Sequence, residues 1–450
     1  MTQAGLPPGP SYPALIQGIG LWTRPLAYME QCRARYGKRF TIRFPFTPPF
    51  VMHTEPDQVK QIYTAPPDVL HPGEGARVLE PVVGMKSVIL LDGDSHMEQR
   101  KLMLPAFHGE NMERLTSLVE EVTDQAVASW DGESELHPRL QALTLEIILR
   151  AVFGLDPGPR LDSLRDDLAT FLAYGNSPLT LIPGPEDLET KERQMRLFNR
   201  AGPLKGFLTI RERVNDLIFE LIDERREDSA GRDDVLAMLL AARHEDGSPM
   251  TDQELRDELM TMLVAGHETT ASSLAWGFER LAREPRVAAR LHEEVRDGNG
   301  DPYLTATIQE VLRRRPVLPN TAPRLVKKPI EVGGWEYDRG VALVASAYLL
   351  HHDPDIYDDP YSFRPERFLD SPPGTYTWIP FGGGRRRCLG MSFAMLEMKI
   401  VLRSVIRAYE LRGLTAGGEM PRRRNITIRP GRGSRLRLDP RESRIPMIRA

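Results

Sequence analysis

Long apolar runs are missing from this chain. No stretch of about eighteen consecutive apolar residues occurs, so no membrane-spanning helix is expected. The N-terminal segment MTQAGLPPGPSYPALIQ lacks the charged-then-apolar order of an export signal. Cysteine is nearly absent: 450 residues include two, Cys32 and Cys388. That excludes a disulfide-rich scaffold but leaves a single Cys32–Cys388 bond open, and with no His cluster at ligand spacing it argues against zinc. No Cys-x-x-Cys-His signature for covalent haem is present. A reducing compartment fits two distant cysteines most simply, so a cytoplasmic protein is expected. Aromatic residues are few, at 7%, and the net charge of −4 gives no global attraction to nucleic acid. No internal repeat or low-complexity tract is found. What is present is 41% hydrophobic and 27% charged residues, enough for a large core in a globular protein.

One stretch stands out, Trp378–Glu397, WIPFGGGRRRCLGMSFAMLE. Cys388 follows Phe381, Gly382, Gly383 and Gly384, and precedes Gly390 and a pattern that predicts a helix over 391–408. Glycines allow tight turns that present backbone N–H groups to a sulfur. A helix starting just after the cysteine turns the positive end of its dipole toward it. Both favour thiolate over thiol. A lone cysteine is usually a small buried hydrophobe. Here the pattern Phe381-Gly382-x-Gly384-x-Arg386-x-Cys388-x-Gly390 fixes six positions within ten.

That pattern resembles the cysteine-ligand loop of the cytochrome P-450 family of haem-thiolate enzymes. Arg385 stands where many members have a small residue or proline. The resemblance implies haem b with Cys388 as the axial thiolate, the remaining loop residues Phe381, Gly382, Arg386 and Gly390 cradling the cofactor. It also implies a mainly α fold with a small β region, in a single domain over 1–450 with a short Pro-rich lead, 1–20. In anchored members a proline-rich entry like Leu6–Pro10 follows a membrane anchor. No anchor is seen here, so a bacterial-type member without a transmembrane segment is expected.

Taken in order, residues 22–36 read as a first helix. Arg39–Phe44 and Phe50–His53 read as strands flanking a Pro-rich turn. Glu55–Tyr63 reads as a helix capped by Thr54. The segment 64–93 looks irregular, an apolar loop folded over a pocket. His96 and Arg100 lie one turn apart on the next helix. By resemblance they face the haem propionates, as does Arg324, since Arg forks suit carboxylates. Helices are expected over Leu115–Trp130, Leu140–Phe153 with Gly154 closing it, and Leu161–Tyr174. Gly175–Pro185 reads as a link within a lid, ahead of a helix over Pro203–Glu227. Asp233–Arg243 reads as a further helix. Strands are expected at Ile330–Val332 and Ala342–Ser346. Asn425–Pro430 reads as a hairpin entering the pocket, and the arginines between Arg422 and Arg449 as solvated turns and tail.

Thr251 can cap a long helix running to about Arg283, with acids in its first turn. Its middle, Val264-Ala265-Gly266-His267-Glu268-Thr269-Thr270, is a poor helix sequence. The resemblance accounts for it. Ala265 and Gly266 would let the helix pass close over a flat ring, with a local distortion opening a groove for dioxygen. Thr269 and Glu268 resemble the alcohol–acid pair that delivers protons to oxygen, Glu being an alternative to the commoner Asp. His267 reads as a structural or surface-linked histidine, not an iron ligand.

Glu310 and Arg313 sit three apart on one helix face. Alone, such a pair is usually a surface ion pair. The family locks it to an arginine in a segment such as Phe363–Phe368, here Arg367, to hold the cysteine loop. Candidate pocket residues by resemblance are Ser87, Val88, Val264, Ala265, Leu318 and Ile426, mostly apolar. Together the motifs imply a monooxygenase that inserts one atom of O2 into a lipophilic substrate such as a fatty acid, terpenoid or steroid. Electrons would come from NAD(P)H through a ferredoxin and its reductase, docking on a basic face of Arg100, Lys101, Arg385 and Arg387. The expected working form is a monomer. Two alternatives stay open: a peroxide-driven peroxygenase of the same fold, and a non-catalytic haem sensor.

Overall fold

The computed structural model describes residues 5–107, 109, 111–174, 205–228, 232–298 and 300–441. Its longer helices are α1 (Ala14–Thr23), α2 (Pro25–Tyr36), α3 (Pro56–Thr64), α4 (Gly93–Met103), α5 (Asn111–Val127), α6 (Leu136–Phe153), α7 (Pro159–Ala173), α8 (Phe207–Glu227), α9 (Asp252–Leu281), α10 (Pro285–Asp297), α11 (Pro302–Arg314) and α12 (Met391–Ala408). The strands are β1 (Arg39–Ile42), β2 (Phe50–His53), β3 (Leu70–His71), β4 (Gly132–Glu135), β5 (Arg324–Val326), β6 (Ile330–Val332), β7 (Trp335–Tyr337), β8 (Ala342–Ala345), β9 (Tyr409–Gly413), β10 (Pro421–Arg424), β11 (Thr427–Pro430) and β12 (Arg435–Pro440).

The central helix α9 runs 30 residues. It starts where Thr251 and Glu254 satisfy each other's backbone N–H groups in a reciprocal cap. Its flanks are buried on nearly every face, against α6, α8, α11, α12 and β11. The main helical core surrounds it. A second core lies beneath a five-stranded sheet in the order β1-β2-β8-β5-β3. Only the β2–β8 pair is parallel, Phe50 opposite Ala342 and His53 opposite Ala345. A three-stranded sheet, β4-β12-β9, and two hairpins, β6–β7 and β10–β11, complete the β structure.

Several expectations need revision. The single helix over 22–36 is two helices, because Pro25 opens a new one after Thr23. Thr54 caps nothing: its hydroxyl donates to Lys38 O at 2.9 Å, and the helix starts at Pro56 with no side-chain cap. The supposedly irregular segment 64–93 contains β3 and short helical turns. Its ends are tied by Asp92, whose carboxylate accepts from Gly73 N and Glu74 N at 2.9 and 3.0 Å. Gly154 does end α6 in the left-handed region, φ 59°. The lid segment Gly175–Pro185 and Leu204 lie outside the described residues. The helix expected after them is seen from Phe207, its buried stripe running through Ile210, Val214, Ile218 and Leu221.

Candidate haem-thiolate site

The loop before α12 folds back on itself. Cys388 N donates to Phe381 O at 3.0 Å and Arg387 N to Gly384 O at 3.1 Å. Gly384 takes φ 63°, and a Cβ there would collide with the Tyr63 carbonyl of α3. The loop can therefore press onto α3 only with glycine at this position. Gly390 stands at the N-cap of α12, and its N–H bonds the Cys388 sulfur. Cys388 has an unusual environment. Its surface is exposed, yet burial pushes its thiol up, opposed by that Gly390 bond and by the charges of Arg100 and Arg387. A residue walled in by protein yet presenting open surface faces an internal hollow.

Helix α9 contributes the same signature. Between its buried flanks, Ala265 is exposed and Val264, Gly266, Glu268 and Thr269 are half-buried. Thr269 turns its hydroxyl back onto Ala265 O at 2.6 Å. The helix is assigned without a break through this stretch, so the expected distortion is not seen as a separate element. A Cβ on Gly266 would lie 3.1 Å from Ile148 Cδ1 of α6, so this glycine also lets two helices approach closely. Beside it, Ala265 presents exposed small surface.

Glu268 points into a dense polar knot. Gln141 Nε2 donates to Oε2 at 2.6 Å, Ser272 Oγ to Oε1 at 3.0 Å, and Arg424 Nη1 lies 3.2 Å from Oε2. His137 Nε2 is 3.4 Å from Oε1. Burial alone would raise the carboxyl pKa, but the His137 hydrogen bond and the Arg424 charge outweigh it and hold the group at about 2. Arg424 was expected in a solvated turn. It instead projects from the β10–β11 hairpin to the middle of α9. His267 is buried, not surface-linked, with Nδ1 3.1 Å from the Thr144 hydroxyl, and burial lowers its pKa to about 4.

Four basic side chains gather beside the cysteine. His96 is buried, and its pKa falls to about 3 through burial and then the charges of Arg386, Arg100 and Arg324. Arg324 spans the Tyr63 ring at 4.8 Å and donates to Ile62 O at 3.2 Å. Arg100 Nη1 donates to Arg387 O at 2.8 Å. Arg386 is already engaged by protein: it meets Val88 O at 3.1 Å, Ile89 O, Leu91 O and Asp92 Oδ1 at 2.7 Å. Its placement fastens the 88–92 segment to the cysteine loop. Asp92 is the carboxylate in ion-pair contact with this group among the described residues. An excess of cations beside a thiol that opens on a hollow is the donor set a haem with two propionates requires.

The candidate pocket residues divide. Val264, Leu318 and Ile426 are half-buried, and Ile426 occupies the hairpin turn beside Asn425, φ 53°. Ser87 and Val88 are sequestered instead. Ser87 is hydrogen-bonded to the Thr261 hydroxyl at 2.7 Å, and Val88 N donates to Glu258 Oε1 at 2.6 Å. With Lys86 N on Asp257 Oδ2 at 2.8 Å, these bonds pin the segment to α9.

The Glu310–Arg313–Arg367 cluster forms, fully buried at its centre. Arg313 Nε and Nη2 meet Glu310 at 2.7 and 2.8 Å, and Arg367 Nε lies at 3.2 Å. Arg313 Nη1 also donates to His351 O and Pro360 O. His351 links this cluster to the cysteine segment. Its Nε2 accepts from Ile379 N at 2.9 Å, so its proton resides on Nδ1, which lies 3.2 Å from Arg313 O. Trp378 Nε1 adds a bond to Gln309 O at 3.1 Å. Sequence reasoning missed His351, Trp378, Gln141, His137 and Arg424. Trp378 opens the cysteine stretch but its bond to Gln309 was not foreseen, the other four lie outside any motif, and each acts across a long stretch of chain.

The expected basic face is reduced. Lys101 is paired with Glu245 at 2.7 Å, and Arg100 is turned inward, which leaves Arg385 and Arg387 exposed.

Comparison with known proteins agrees with this geometry. A family model described as Cytochrome P450 matches residues 7–433. The protein named cytochrome P450 135B1 of Mycobacterium tuberculosis is 36% identical over an alignment of 449 residues, covering 97% of this chain and 92% of the relative. Cytochrome P450 138 of the same species is 37% identical, covering 96% of each. A solved structure described as retinoic acid bound cyanobacterial CYP120A1 superposes with a TM-score of 0.82 at 22% identity, covering 98% of this chain and all of that one. No helix among the described residues is long and apolar enough to cross a membrane. The chain belongs to the cytochrome P450 family, whose members bind haem through an axial cysteine thiolate and are, in general, monooxygenases.

Proposed function

We propose that this chain inserts one oxygen atom of O2 into a lipophilic organic substrate, with electrons drawn from NAD(P)H through separate ferredoxin-type proteins. Cys388 is the iron ligand in this reading, and His96, Arg100 and Arg324 face the propionates. The observation that supports it is the open surface of Cys388, walled in by protein, together with the open surface of Ala265 and Thr269 in the otherwise buried α9. Bound haem would supply dioxygen activation, the thiolate donating electron density that favours O–O cleavage. The protein's own part is proton handling and exclusion of water. Thr269 holds a proton at Oγ1 beside the hollow. Glu268, kept anionic by Arg424 and His137, takes a proton from the solvent side when one of those partners moves aside and passes it inward. Val264, Leu318 and Ile426 offer apolar surface, which favours a fatty acid, terpenoid or steroid-like substrate. The enzyme works as a single-domain monomer in the cytosol on this reading.

The test combines spectroscopy with turnover. Reduced, carbon monoxide-treated protein should show a thiolate-type spectrum that Cys388→Ala loses. Thr269→Ala should keep that spectrum while diverting reducing equivalents from product to peroxide or water. A thiolate-type spectrum in the Cys388 variant would overturn the ligand assignment. Product formation supported by peroxide but never by NAD(P)H and redox partners would favour a peroxygenase.

A further inference from the structure

A pocket whose lining does not include Cys388 opens where the C-terminal end of α9 meets the foot of the β10–β11 hairpin. It is an open pocket of about 520 Å³, lined by Arg280, Arg283, Arg315, Thr415, Gly418 and Met420 among others. Two of the arginines are fully employed. Arg280 grips Glu279 with Nε and Nη2 at 2.6 and 2.8 Å. Arg283 contacts the same carboxylate at 2.7 Å and Thr415 O at 2.8 Å.

Arg315 is different. Its guanidinium lies over the Trp276 ring at 5.0 Å, and its Nε is buried with no hydrogen-bond partner. Among the described residues it has no ion-pair partner either. Burial lowers its pKa to about 9, with the nearby charges of Arg314 and Arg280 acting in the same sense. The acids nearby are already engaged, and the Glu279 charge opposes the lowering only in part. Glu279 is shared between Arg280 and Arg283 and also accepts from Glu419 N at 3.0 Å. The Glu419 carboxylate is held by Arg432 N and Arg435 N at 2.6 and 2.9 Å. Both carboxylates are thus already engaged, and Arg315 is left without one of its own among the described residues.

We propose that this cavity binds a small oxyanion, a carboxylate or a phosphate, received by Arg315. A guanidinium presents a planar set of donors matched to such oxygens, and stacking on Trp276 occupies its face and not its donor edge. The site is also placed to be felt in the hollow. Trp276 Nε1 donates to Ile428 O in β11 at 3.0 Å, and Met420 O accepts from Gly431 N at 2.9 Å across the hairpin foot. The same hairpin carries Ile426 and Arg424. An anion seated on Arg315 therefore steadies the element that clamps Glu268.

The experiment uses the haem-loaded protein at constant ionic strength. Inorganic phosphate and acetate are titrated separately by calorimetry, with chloride as the compensating salt. Saturable binding of at least one is expected, and which arm binds identifies the oxyanion. Arg315→Gln should weaken it at least tenfold. Met420→Glu, at a 68% exposed rim position that tolerates substitution, should also weaken it at least tenfold by placing a negative charge at the mouth. Absence of saturable binding by both anions, or affinity unchanged in both variants, overturns the proposal. Neither readout depends on turnover, so failure here is separate from failure of the monooxygenase reading.

Discussion

Arg424, in the hairpin near the C-terminus, places Nη1 3.2 Å from Oε2 of Glu268 in the middle of α9. This contact joins the strand pair that closes the candidate pocket to the acid beside Thr269. Together with the His137 hydrogen bond, it keeps charged a carboxylate that burial would protonate. The charge that should carry protons is therefore also an anchor for the pocket wall.

Replacing Arg424 with Gln should release that anchor. The carboxyl of Glu268 has a folded pKa of about 2 against an ordinary 4.5. A depressed folded pKa stabilises the native state fully above pH 4.5, and that contribution is lost as pH falls toward 2. The variant should lose about 1–3 kcal/mol at pH 7 and show a shallower decline across the acid window. Urea unfolding at pH 7 and pH 3.5 measures both; identical acid slopes in the two proteins would count against the contact.

Glu310→Gln should be far more damaging. It leaves Arg313, fully buried, without its carboxylate. Breaking a buried pair of this kind costs on the order of 3–5 kcal/mol. Because Arg313 O and His351 connect this cluster to Ile379, the cysteine loop should loosen as well. Expression of haem-loaded protein and its carbon monoxide spectrum report both effects, and a normal haem content with unchanged unfolding midpoint would refute the linkage.

Gly384→Ala should destabilise by more than about 1 kcal/mol, because a Cβ meets the Tyr63 carbonyl and the backbone sits at φ 63°. Gly417→Ala is the control, with open space around it. Thermal melting should separate the two; equal melting points would mean the loop does not press on α3 as described.

Reversing the charge of Arg385 and Arg387 together should slow reduction by an acidic ferredoxin. The loss should be largest at low salt and fade as screening grows. Stopped-flow reduction across salt concentrations decides, and rates equal to wild type throughout would remove this face as the docking surface.

Local chemistry was readable in the chain itself. The turn before Cys388, the helix over 391–408, the capped start of α9 at Thr251, the strand at Phe50–His53 and the Glu310–Arg313 spacing all depend on neighbours within a few residues. Steric demands of glycine, hydrogen bonding at helix ends and the periods of helix and strand write such features into short segments. The packing reason for Gly266 was not readable, because it depends on Ile148 in another helix. Nor could spacing reveal that Arg386 would fasten residues 88–92, or that Ser87 would lie beneath α9. The knot around Glu268 draws His137 and Gln141 from α6 and Arg424 from the β10–β11 hairpin, and which acid stays ionised depends on their summed charge and burial. Composition and motif thus determined the family and its sulfur ligand, since both rest on short-range sequence. Only the folded chain decided the electrostatics, because burial and long-range contact exist nowhere in a linear string.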